Sequence, residues 1–151
     1  AAFTNMRRAA KPGARLALVS WRGLAENPWM EVPMNAVAQH LPPRSPGTPN
    51  SPGMFAFANP DYVSRVLTES GWAAPRFEKF DTDLDIAAGH GLEEAVVQST
   101  RIGAVNSWLR NQPAEIIAAS NQSLRDALAP HAAGANVRLP GAMWLIGSMA
   151  S

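Results

Sequence analysis

Ala10-Lys11-Pro12-Gly13-Ala14-Arg15-Leu16-Ala17-Leu18-Val19-Ser20-Trp21 takes the chain out of a helix and into a strand. Phe3, Met6 and Ala10 recur at three- and four-residue spacing, so residues 1–11 read as the last turns of an amphipathic helix. Pro12 cannot continue the helix and Gly13 can adopt positive φ, which ends it. The run Leu16-Ala17-Leu18-Val19 is apolar at every position instead of alternating, as in a strand buried on both faces. A chain that begins this way enters a helix/strand repeat already under way, and the expectation is a truncated architecture.

Beyond Trp21, Asn27 stands as a cap before Pro28 at the first helical position, and Trp29, Met30, Val32, Val37 and Leu41 supply an apolar face. Pro42 to Gly53 is too rich in Pro and Gly for regular structure and reads as a flexible surface loop. A second Asn-Pro pair, Asn59-Pro60, opens a helix with Tyr62, Val63, Val66 and Leu67 inward, and Ser70-Gly71 closes it. Residues 76–86 alternate: Phe80, Thr82, Leu84 and Ile86 share one face, and Lys79, Asp81, Asp83 and Asp85 share a wet one, the pattern of an edge strand. Helical patterns follow over 92–102, around Trp108 and Leu109, and from Pro113 through Leu124 and Leu128 to stops at Pro130 and Gly134. A last strand surrounds Met143-Trp144-Leu145-Ile146, continuously apolar and expected to begin its ladder after Pro140.

The 151 residues fit one domain, 1–151, in which 42–53 is a flexible loop. A chain of that length buries roughly 68–70% of its unfolded surface, enough to fold without staples. Thirteen Lys and Arg against twelve Asp and Glu leave a net charge of +1, with no basic run longer than Arg7-Arg8. Phosphate neutralisation needs clustered cations, so nucleic acid is not expected as a partner. No stretch approaches the apolar length of a membrane span or signal peptide, and no cysteine is present. Thiol catalysis and cysteine-ligated zinc are therefore excluded, and a cytoplasmic protein is expected.

The ordered series of Lys11-Pro12-Gly13, the apolar strand ending in Trp21, Asn27-Pro28-Trp29, and Phe55-Ala56-Phe57 before Asn59-Pro60 resembles the C-terminal half of class I S-adenosylmethionine-dependent methyltransferases. The branch it is similar to includes the ubiquinone and menaquinone biosynthesis enzymes. That family's "LKPGG" turn stands here as Ala10-Lys11-Pro12-Gly13-Ala14, with Ala14 in place of the second glycine. Asn59 through Ser70-Gly71-Trp72 resembles the next crossover helix with its "aGF" ending, Trp replacing Phe.

The resemblance implies an α/β fold: half of a Rossmann-like methyltransferase sheet, with strands equivalent to 5-7-6, mixed, the central strand antiparallel, helices packed around it and 22–58 as a helical lid. It implies S-adenosylmethionine as the family's cofactor, and it also implies that the donor-binding elements precede the equivalent of Ala1. The sequence holds no G-x-G-x-G, so no cofactor is expected to bind this chain alone. The fourth strand, which would flank residues 15–21, is missing too. An unpaired apolar edge invites association, and the expectation is a homodimer in which strand 15–21 pairs with its two-fold copy.

Trp21, Trp29, Met30, Met34, Phe55 and Phe57 cluster in sequence around the C-terminal end of the first strand, where ligands bind in open α/β sheets. They are the candidate substrate or lid residues, suited to a small apolar or aromatic acceptor; the alternative is ordinary core or dimer contact. His90, between two glycines, is the candidate for general acid–base work, against a plain solvated loop histidine. His40, His90 and His131 show no ligand spacing, so no metal site is expected. Glu93-Glu94 suits a helix start, and Ser20 lacks the setting of a hydrolase nucleophile.

The function expected is therefore that of the acceptor-binding half of a small-molecule methyltransferase, inactive alone. The alternatives are a non-enzymatic dimeric ligand-binding or interaction module built on the same half-sheet, and a remnant of a longer enzyme.

Overall fold

A computed structural model describes residues 2–44, 47–48 and 50–150. Residues 45, 46 and 49, inside the expected flexible loop 42–53, lie outside the described residues. The described chain is α/β, with six α-helices and a four-stranded antiparallel open sheet. The helices are α1 (Ala2–Ala9), α2 (Pro28–Ala38), α3 (Pro60–Glu69), α4 (Leu92–Arg101), α5 (Gly103–Leu109) and α6 (Ala114–Leu128). The strands are β1 (Arg15–Trp21), β2 (Arg76–Asp85), β3 (Ala132–Ala133) and β4 (Asn136–Met149), in the order β1-β4-β2 with β3 also paired to β4. The mixed sheet expected from the sequence is thus antiparallel among the described residues. The chain divides into two compact units, residues 1–23, 47–81 and 142–151 in the first and 24–46 and 82–141 in the second.

In the first unit the Lys-Pro-Gly turn behaves as its residues dictate: α1 stops at Ala9, Gly13 takes φ +77°, and β1 starts at Arg15. β1 lies antiparallel to β4, Arg15 opposite Met149 and Trp21 opposite Met143. The Arg22 N–H donates to the Ala142 carbonyl at 2.9 Å and the Ala150 N–H to that of Ala14 at 2.8 Å. Even-numbered residues of β1 therefore bond towards β4, and Arg15, Ala17 and Val19 turn their N–H and C=O groups to the outer edge.

One face of this sheet is covered. Val63 and Leu67 of α3, with Trp72, Ile146 and Ala150, form a buried cluster against which Phe3, Leu16, Leu18, Phe57, Phe77 and Trp144 pack. Asn59 caps α3 as expected, accepting from the Asp61 and Tyr62 N–H groups at 2.8 and 3.3 Å. Side chains so buried contribute roughly 1.5–3 kcal/mol each.

The reverse face is open, and here two expectations are corrected. β1 is not buried on both faces: Leu16, Leu18 and Ser20 are half-buried while Val19 is 65% exposed. The apolar run holds because the strand ends the sheet and its odd-numbered side chains meet no second layer in this unit. Phe80 likewise does not point inward but is 45% exposed; Phe77, three residues earlier, takes the inner place with its ring edge-on to Trp144. Met149 joins the open face, 51% exposed.

In the second unit α6 packs against α2 and α4, and Val37, Val105, Leu124, Leu128, Val137 and Leu139 are fully buried. Two further expectations change. β4 runs through Pro140 instead of starting after it. Pro140 is even-numbered, so its missing N–H would face the β1 side of the strand, where pairing stops at Met143, and no ladder bond is lost. Asn27 precedes α2 but makes no side-chain cap; it is fully buried and its Oδ1 accepts the Trp29 indole N–H at 3.0 Å.

Candidate functional site

A cavity of about 370 Å³ lies within the second unit, in the size range of small-molecule sites. Trp29, Met30 and Pro33 of α2 form one wall. Asp85 and Ile86 at the end of β2, with Ala88, form a second, and Gln98, Ser99 and Ile102 at the end of α4 close the third. The apolar stripe of α2 and the Pro28 start set the first wall, because they turn Trp29, Met30 and Pro33 to the same buried side.

The second wall owes its shape to a turn. Asp85 Oδ1 accepts the N–H groups of Ala87 at 3.1 Å and Val137 at 3.0 Å, and Oδ2 accepts that of Gly89 at 2.9 Å. The chain then passes through Ala88 at φ +49° and Gly89 at φ +78° before Gly91 starts α4. Stabilisation of the anion by the Val137 N–H above all, and then by Ala87, Gly89 and the Arg138 charge, outweighs partial burial and holds the Asp85 carboxyl below its ordinary range. Asp85 is an anion at neutral pH.

The donors on this lining are largely engaged. The Trp29 N–H donates to Asn27, the Ser99 hydroxyl to the Ala95 carbonyl at 2.8 Å, and Gln98 Nε2 to Glu94. Acceptors remain. A carboxylate offers about four acceptor positions, and three on Asp85 are filled.

The six residues expected to act together divide between the two units. Trp29 and Met30 line the cavity, and Met34 of α2 is half-buried outside its lining. Trp21 and Phe57 line a separate groove in the first unit with Val19, Met54 and Met143, and Phe55 is half-buried outside it. His90 is exposed in the turn before α4 and is not among the cavity-lining residues. His40, at the end of α2, bonds through Nε2 to the Ser123 hydroxyl of α6 at 2.8 Å.

Three residues outside the expected site matter here. The alternation of residues 76–86 puts Asp85 on a wet face, yet it ties the turn together. Its signal was Asp-x-Ala-x-Gly, a short acceptor side chain followed within four residues by a residue free to take positive φ. The pattern over 92–102 predicts Ile102 within a helix, and it instead stands between α4 and α5. Arg22 is 6% exposed in the first unit, paired to Asp81 and 5.5 Å above the Trp144 ring. Nothing in its local sequence distinguishes it from a surface arginine.

No protein-family model and no curated protein matches the chain. The Asp85 carboxylate at this cavity, with three of its four or so acceptor positions taken by backbone N–H groups, keeps about one for a ligand, fewer than a pair of ribose hydroxyls would take. Among the described residues no group of three or more His, Asp or Glu could hold a metal ion, and no helix is long and apolar enough to cross a membrane.

Proposed function

We propose that the chain is the acceptor-binding half of a class I methyltransferase-like fold, from the small-molecule branch, with donor binding supplied by elements outside these residues and no activity of its own. The observation that carries this reading is the strand order β1-β4-β2, with two strands flanking an antiparallel centre and α3 between β1 and β2 in the chain. It matches the order that the resemblance assigns to strands 5, 7 and 6. The outer edge of β1, where a fourth strand would attach, supports it further. The cavity in the second unit is then the place for a small, largely apolar acceptor, and the protein works in the cytoplasm.

The test is the in-frame coding sequence ahead of Ala1. A glycine-rich strand-to-helix turn there sustains the reading, and an in-frame stop without one overturns it. Calorimetric titration of the chain with S-adenosylhomocysteine adds a second check: no binding is expected, and micromolar binding would show that the donor site is not elsewhere.

A dimeric, non-enzymatic binding module is the second reading, favoured by a specific observation. Arg15, Ala17 and Val19 present their backbone groups outward along an apolar strand with no proline and only one charge. A two-fold axis through Leu18 would pair Ala17 with the copy's Val19 and set the two Arg15 guanidinium groups at opposite ends of the ladder. Light scattering at micromolar concentration distinguishes the dimer from a monomer.

A further inference from the structure

We infer that the cavity bounded by Trp29, Met30 and Ile102 binds an apolar ligand carrying a primary or secondary ammonium group, with the carboxylate of Asp85 as its counter-ion. The inference rests on the cavity alone and stands whether or not the chain belongs to a methyltransferase.

The lining sorts ligands by what it lacks. An indole, a thioether and aliphatic side chains accept a hydrocarbon body at a gain of roughly 25 cal/mol for each Å² removed from water. An aromatic face and a polarisable sulfur also tolerate a nearby cation. The lining's polar side chains have few donors left for a ligand's acceptors: the Trp29 N–H and the Ser99 O–H are given to Asn27 and Ala95, and the Gln98 amide gives one of its two N–H groups to Glu94. A ligand carboxylate would meet the Asp85 anion with no cation on the lining to offset it.

A ligand donor finds the opposite. Asp85 Oδ2 accepts one backbone N–H, from Gly89, and retains acceptor capacity, while the three bonds to the carboxylate fix its orientation before any ligand arrives. A charge-assisted bond to an ammonium is stronger than the same bond to a neutral donor, so the cation is the preferred form. Among the described residues no Lys or Arg is on the lining, and Arg138, whose charge reaches Asp85, stands outside it, so no resident cation occupies that acceptor inside the cavity.

The experiment compares three probes of one shape, 2-phenylethylammonium, ethylbenzene and phenylacetate, by calorimetry and by the shift of the Trp29 indole N–H signal. The ammonium is expected to bind about tenfold more tightly than ethylbenzene, the equivalent of one charge-assisted bond, and phenylacetate more weakly than either. Ile102→Trp, at a residue 37% exposed, fills the cavity without touching the Asp85 turn and is expected to abolish ammonium binding with the circular dichroism unchanged. Asp85→Asn, in protein that still folds, should bring the ammonium down to the ethylbenzene affinity. Equal affinity for ammonium and ethylbenzene overturns the role of Asp85, unaltered binding in Ile102→Trp overturns the location, and failure of all three probes overturns the site.

Discussion

In the unit formed by residues 24–46 and 82–141, helices close on one another until Val37, Val105, Leu124 and Leu128 are fully buried, leaving one cavity of about 370 Å³ as the interruption that concerns function. In the other unit α3 and the residues around it cover a single face of the sheet, and the reverse leaves Val19 65%, Met149 51% and Phe80 45% exposed. Both units obey the same burial rule but end it differently. A helix with an apolar stripe finds a partner helix on any side, whereas a sheet needs a whole second layer to finish each face. Where the layer is not supplied, apolar side chains stay in water and the edge strand keeps its bonding groups.

The largest effect expected from that contrast is on the covered face. Leu67 is fully buried among Val63, Trp72 and Ile146, so Leu67→Ala should lower unfolding stability by about 2–5 kcal/mol in a urea titration. A loss under about 1 kcal/mol would mean that α3 is not anchoring the sheet and would erase the distinction between the two faces.

Next in size is the edge of β1. Ala17→Pro removes an N–H that points away from β4, so the ladder inside the chain survives while pairing with a second copy loses two hydrogen bonds, one per copy. Dimer affinity measured by light scattering should fall by roughly ten- to a hundredfold. A dimer that tolerates proline at this position is held together somewhere else.

The second unit answers to acid. The Asp85 and Glu93 carboxyls both lie below their ordinary range, Asp85 chiefly through the Val137 N–H and Glu93 chiefly through its bonds to Arg125 at 2.6 and 2.7 Å. A carboxyl whose folded pKa is depressed contributes stability that is present above the unfolded value, near 4, and is lost as pH falls through the folded one. Urea midpoints should therefore hold between about pH 7 and pH 5 and fall below about pH 4. Asp85→Asn should flatten that fall, and Glu93→Gln less so, since its ion pair is exposed and screened. Equal slopes in parent and Asp85→Asn would remove the carboxylate from the account of the turn.

Local chemistry made most of the elements legible in advance. Lys11-Pro12-Gly13 and Asn59-Pro60 each contain their own instruction, a residue that cannot continue a helix or a side chain that caps one, and both act as their sequence implies. The α/β character followed from the change in period from 3.6 to 2 along the chain. Periodicity could not tell whether the apolar run of β1 met one layer or two, because a strand awaiting a partner and a strand holding one have the same sequence. The cavity was half visible for a related reason. Trp29 and Met30 announce themselves by size, but Asp85 looked like one of three alternating aspartates, and what separates it from Asp81 and Asp83 is the arrival of Val137 from fifty-two positions along the chain. Local grounds predict Asn27 as a cap, and its burial beside an indole N–H turns the same oxygen to Trp29.

The smallest expected effect is the sharpest test of the open face. Leu18 and Val19 are neighbours in β1 with opposite outlooks: Leu18 packs on the covered cluster, and Val19 is 65% exposed. Val19→Thr keeps the β-branched shape and adds a hydroxyl that water can satisfy, so monomer stability should stay within about 0.5 kcal/mol of the parent. Leu18→Thr removes apolar volume and sets a hydroxyl against the covered apolar cluster, and should cost clearly more, about 1–3 kcal/mol. Measured at low concentration by urea unfolding, the two substitutions need no assumption about partners. Should Val19→Thr cost as much as Leu18→Thr, something packs on the odd-numbered face of β1 in solution. The apolar run Leu16-Ala17-Leu18-Val19 would then be what its sequence first implies, a strand with a layer on either side.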